Sequence, residues 1–193
     1  MVKQFIFSLF LFFSCAHSPY LKTKDGISVK QCNLPIHYAI SDNIPYDYRK
    51  LVESGFQYWN DVTGLGDDLL LRIGVISYYP DDPETDSFVL VAWAPYLDKE
   101  DRKVCAITEY DYSKYGCMKA TKVLISTRCL NYGKKVMESI MRHEIGHVLG
   151  LRHSSTECEI MYIGVASKKK CQHPIDASDR EINAVKKHYG FEK

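Results

Sequence analysis

The stretch MRHEIGHVLGLRHSS, residues 141–155, sets three histidines and a glutamate within eleven positions of a 193-residue chain that has seven histidines in all. On a helix, His143 and His147 are four residues apart, so they share a face one turn apart with Cβ atoms roughly 6 Å from each other. Two imidazoles so placed can grip one ion. Gly150 can take the left-handed backbone conformation that ends a helix sharply, and the turn then delivers His153 as a third nitrogen ligand. Three neutral nitrogens with an open fourth position fit catalytic zinc, not a closed structural site. Glu144 adjoins the first ligand without binding. A carboxylate there serves as general base toward a metal-activated water and then as general acid toward a leaving amine. His17, His37, His173 and His188 have no partner at ligand spacing and are read as ordinary side chains.

Outward from this stretch, the helix that carries it is expected over Lys134 to Leu151, with Val136, Ile140, Ile145, Val148 and Leu149 toward the core. Ser178 and Glu181 form a capping box that opens a last helix closed by Gly190. Toward the N-terminus, Pro35 to Ile40 alternates as a half-buried strand, and Val52, Phe56, Trp59 and Thr63 mark a helix between Pro45 and Gly64. Leu69 to Ile76, Phe88 to Trp93 and Lys122 to Ser126 read as strands. The order implies an α+β, or mixed α/β, fold in which helices pack on a twisted sheet.

Length and an apolar content of 46% suit one substantial core. A net charge of +1 gives no field to draw nucleic acid. Lys3, the apolar run Phe5 to Phe13 and the small residues Ser14, Cys15 and Ala16 have the order of a secretory signal. Cleavage falls before Cys15, leaving it to carry a lipid as in a loose bacterial lipobox, or after Ala16. The lipid-bearing reading is preferred, which makes the chain an outer-membrane or cell-surface lipoprotein; the alternative is a soluble secreted protein. The expected organisation is a signal peptide over 1–15, a short segment over 17–31 and the folded domain over 32–193. Cys32, Cys105, Cys117, Cys129, Cys158 and Cys171 remain, an even number that suits disulfides in an exported chain. Locality favours Cys158 with Cys171 and Cys105 with Cys117, leaving Cys32 with Cys129.

The motif His143-Glu144-x-x-His147-x-x-Gly150-x-x-His153, followed by Cys158-Glu159-Ile160-Met161-Tyr162, resembles the metzincin zinc endopeptidases with their methionine turn. Ser154 after the third histidine and Tyr162 after Met161 resemble the matrixins in particular. Phe56 to Thr63 is similar to the first helix of matrixin catalytic domains, Val89 to Pro95 to their substrate-binding edge strand, and Asp179 to Gly190 to their last helix. The resemblance implies a zincin domain with a mostly parallel sheet and an antiparallel edge strand, and a monomeric zinc metalloendopeptidase acting on polypeptides. It gives Met161 and Gly150 supporting roles. It also implies a peptide paired with Val89, Leu90, Val91, Ala92 and Trp93, beside a pocket walled from Tyr162 to Pro174.

The chain departs from the family pattern in three ways. No histidine lies between His37 and His143, so one zinc is expected. Calcium at the acidic loop of Asp81, Asp82, Glu84 and Asp86 is weighed against a merely solvated loop, and the latter is favoured. The segment from His17 to Lys30 is too short for a folded prodomain, and Cys32 is assigned to a disulfide in preference to a thiolate cap on zinc. The competing functional reading is a non-catalytic peptide-binding lipoprotein or adhesin that keeps the fold; an intact Glu144 argues against it.

Overall fold

A computed structural model describes residues 18–77, 88–94, 97, 104–127, 132–162, 171 and 175–191. The leader with Cys15, the acidic loop and most of the expected pocket wall lie outside them. The elements are β1 (Ile36–Ser41), α1 (Tyr46–Thr63), β2 (Leu70–Ile76), β3 (Val89–Ala94), β4 (Ala106–Tyr112), β5 (Met118–Ser126), α2 (Lys134–Val148) and α3 (Asp179–His188). The five strands form one sheet in the order β2-β1-β3-β5-β4. All neighbours are parallel except β4, which runs antiparallel to β5 at the sheet edge.

That order corrects the expected edge. Val89, Leu90, Val91, Ala92 and Trp93 belong to β3, which pairs with β1 on one side and β5 on the other. At Trp93 the side chain of Asn43 takes up both the backbone N–H and the carbonyl. No main-chain groups are left on these residues for a peptide to pair with. Val89 to Ala92 are also buried, as a near-continuous apolar run inside a parallel sheet should be. The antiparallel edge strand is β4.

Helix α1 begins after Pro45 and ends at Gly64, as its sequence signals require. Its buried face carries Leu51, Val52, Phe56 and Trp59. Phe56 stacks on Tyr38 of β1 with ring centroids 3.7 Å apart, joining helix to sheet. Trp59 Nε1 donates to the carbonyl of Arg142 at 2.8 Å, which fastens α1 to α2 one residue before His143. A Cβ on Gly55 would lie 2.8 Å from Ile145 Cδ1 and 3.0 Å from Met141 Cβ, so the missing side chain is what lets α1 approach α2.

The disulfides are Cys32–Cys117 and Cys158–Cys171, and Cys105 is also disulfide-bonded. The local pair is as expected. The expected Cys105–Cys117 and Cys32–Cys129 pairs are not formed, because Lys30 lies in a parallel bridge beside Cys117 and brings Cys32 to it across 85 residues of sequence.

The segment from Ser18 to Cys32 packs onto the domain. Arg152 N–H donates to Pro19 O and Leu21 N–H to Gly150 O, at 2.9 and 2.8 Å. Tyr20 stacks on His188 with centroids 4.2 Å apart and donates its hydroxyl to Ala184 O. These contacts tie the loop after α2 to α3 and to the start of the described chain.

Candidate active site

Helix α2 ends at Val148, three residues short of the expected Leu151. Gly150 follows with φ +83°, the left-handed value that its place in the motif calls for. A Cβ there would sit 2.4 Å from Val29 O and 2.9 Å from His188 Nε2, so the turn also needs the absence of a side chain. Beyond it the chain reverses and brings His153 to the two helix histidines. One ligand atom from each of His143, His147 and His153 lies within 4.8 Å of the others, and Nε2 of His147 and His153 are 3.1 Å apart.

The ring orientations are fixed from behind. His143 Nδ1 lies 2.7 Å from Ile160 O and His147 Nδ1 lies 2.8 Å from Leu151 O. A carbonyl only accepts, so each Nδ1 carries the proton and each Nε2 lone pair faces the cluster. Burial pushes the His147 imidazole down to about 3, with neighbouring His143 adding to the effect. His143 and His153 are lowered for the same first reason, burial. Neutral imidazoles are the form that binds metal. Four-coordinate zinc sets its nitrogen donors about 3.3 Å apart, close to the 3.1 Å between His147 and His153, and the donor set and its protonation state fit zinc.

Met161 lies under the cluster, 1% exposed. A Cβ on Gly146 would approach Met161 Sδ to 2.3 Å, so the helix between His143 and His147 rests on the thioether. Gly146 was not singled out from sequence, where it reads only as a helix-interior glycine. The methionine turn is held by α3. The peptide between Ile160 and Met161 accepts from His143 through its carbonyl and donates its N–H to Glu181 Oε1 at 2.8 Å. Glu181, 4% exposed, also completes the capping box with Ser178. One carboxylate therefore caps α3 and, through one peptide plane, orients His143.

Glu144 is 6% exposed and reaches β4. Its Oε2 accepts from Thr108 Oγ1 at 2.7 Å, and burial raises its carboxyl to about 7 despite that hydrogen bond. Thr108 is the residue that sequence reading missed, 36 positions away on a strand it did not expect. Replacing Thr108 with Val keeps the shape and removes the donor. Turnover should fall roughly 10-fold, in the range for losing a hydrogen bond to a charged group, with zinc content unchanged by metal analysis; a kcat equal to wild type would remove Thr108 from the mechanism.

Of the remaining expected site residues, Tyr162 forms a parallel bridge with Ser154 and is half-buried beside the turn. Ser154 N–H donates to Met161 O at 2.6 Å, so the residue after the third ligand is stitched to the methionine turn. The Cys158–Cys171 disulfide ties the methionine turn to Cys171.

Comparison with known proteins agrees with this geometry. The matrixin family model matches residues 99–190. The metalloendoproteinases 2-MMP and 1-MMP of Arabidopsis thaliana are 39% and 41% identical over 54 residues, 28% of this chain. The matched stretch spans only 14% of the length of those relatives. Among solved structures, archaemetzincin from Methanopyrus kandleri superposes with a TM-score of 0.54 at 9% identity, covering 80% of this chain and 96% of that one, which is a likeness of fold. Motif, methionine turn and family match converge on a likeness to the matrixin metzincins, and the sheet order and the archaemetzincin superposition on a zincin fold.

Proposed function

We propose that this protein is an exported zinc metalloendopeptidase that hydrolyses peptide bonds in polypeptides. The observation that carries the reading is a buried carboxylate, Glu144, raised to about 7 and beside three inward-facing neutral histidines. Zinc held by His143, His147 and His153 supplies a Lewis acid for the scissile carbonyl and an acidified water. Everything else falls to the chain. Glu144 takes a proton from the attacking water and returns it to the leaving amine, and burial, which favours its protonated form, suits it to holding that proton between the two transfers. Thr108 keeps that carboxylate in one rotamer. The antiparallel edge strand β4 offers main-chain groups to an extended peptide, the role first expected of β3.

Export is supported by the leader pattern at the N-terminus and by the disulfides, which suit an oxidising compartment. Cys15 is proposed as the lipid-bearing residue, which would make this a surface lipoprotein. One zinc per chain is proposed and calcium is not.

The test is cleavage of a broad peptide library by purified protein. Cleavage products are expected, should vanish on treatment with a strong chelator and should return when zinc is restored. Peptides that bind without being cut, at full zinc occupancy, would replace the endopeptidase by a peptide-capturing protein.

A further inference from the structure

Two cavities flank His153: a cleft of about 640 Å³ between β4 and the histidines, and a second of about 360 Å³ beside the N-terminal segment. Arg152 lines both. The other charged groups around them are already engaged. Glu144 accepts from Thr108, Arg180 pairs with Glu159, and Glu181 accepts from Met161 N–H and from Ser178. Among the described residues, no carboxylate forms an ion pair with Arg152. Its backbone is nevertheless well anchored, by the bond from its N–H to Pro19 O and by the antiparallel bridge of Tyr20 with Leu151.

A half-buried arginine that lines a cleft, with no carboxylate paired to it among the described residues, has a definite chemical consequence. A peptide lying along β4 covers the cleft and removes water from that charge, which is costly unless the peptide brings an anion to meet it. Among the described residues the rest of the cleft wall provides none: Leu21, Val104, Ala106, Ile107 and Tyr110 are apolar or neutral. The planar fork of an arginine matches a carboxylate by two parallel hydrogen bonds. We propose that Arg152 reads a carboxylate of the bound peptide, so that the preferred substrates carry an acidic group beside the scissile bond. This rests on the endopeptidase reading. The acidic group has two sources, an internal Asp or Glu side chain and a free chain terminus, and an enzyme that cuts within chains selects the side chain.

The test uses quenched-fluorescence peptides that differ at one position at a time among Glu, Gln and Lys, each made with free and with amidated C-termini. At one position, Glu should exceed its isostere Gln in kcat/KM by about 10- to 100-fold, the range of a charge-assisted hydrogen bond. Amidation should leave that ratio unchanged. Arg152→Glu should shift the preference at the same position to Lys, and Arg152→Gln should level it. Each ratio is read within one variant, so a general loss of activity cancels. A second arm measures binding of the same peptides to zinc-loaded Glu144→Gln protein by fluorescence anisotropy. If nothing is cut but Glu peptides bind more tightly through Arg152, carboxylate recognition stands and the endopeptidase reading falls. If peptides are cut with equal Glu and Gln rates, or if Arg152→Glu and Arg152→Gln leave the ratio as in wild type, the proposal is overturned. Loss of the preference on amidation would assign Arg152 to the chain terminus and overturn the side-chain assignment.

Discussion

Glu144→Gln should retain one zinc per chain and lose roughly 100- to 10,000-fold in kcat/KM on a cleaved peptide, the span associated with general acid–base catalysis. The substitution is isosteric, and Thr108 can donate to an amide oxygen as it does to the carboxylate. What disappears is the ability to accept a proton from water. Because Nδ1 of His143 and of His147 is held by the Ile160 and Leu151 carbonyls and not by Glu144, the metal-binding set is left undisturbed. Metal analysis and steady-state kinetics on the same preparation give both numbers. A variant with zinc bound and a rate within about 10-fold of wild type would mean that another group moves the proton.

Gly150→Ala should lower stability strongly. The residue has φ +83°, and an added Cβ would meet the backbone oxygen of Val29 at 2.4 Å, an atom that cannot rotate away. The left-handed conformation costs an alanine roughly 1–2 kcal/mol, and forcing a methyl into a filled space costs about 1–3 kcal/mol more. For a chain of this size the sum corresponds to a Tm lower by about 4–20 °C. Gly26 is the control, since it has φ +81° but nothing within 4 Å of an added Cβ, so Gly26→Ala carries only the conformational part. The loop from Gly150 delivers His153, so Gly150→Ala should also weaken zinc binding while Gly26→Ala does not. Equal Tm losses for the two variants would show that the close approach to Val29 contributes nothing.

The histidine cluster is legible in the sequence because a helix converts a spacing of four into adjacency, and a glycine after the helix signals the reversal. The same holds for α1, with Pro45 before it and Gly64 after it, and for the capping box of α3. Strand β4 is not legible. Ala106–Tyr112 is largely exposed or half-buried along its length, so it lacks the alternation that marks a strand with one wet face. Thr108 therefore has no signal that links it to Glu144. The apolar run Val89–Ala94, by contrast, carried a signal that the family likeness overrode: a strand apolar at every position is covered on both faces and belongs inside a sheet. The Cys32–Cys117 pair failed on locality because it depends on how the segment before β1 runs beside β5, a long-range fact. Glu181 was read correctly as a cap, but a cap motif says nothing of the second oxygen, which serves the methionine turn.

The peptide plane between Ile160 and Met161 touches a metal-site imidazole on one side and a helix-capping carboxylate on the other. Thermodynamic reciprocity follows from that shared plane: whatever free energy the C-terminal helix contributes to ion affinity, the ion contributes in equal measure to keeping that helix docked. Cation occupancy and the integrity of the C-terminal part of the molecule are thus two readings of one equilibrium.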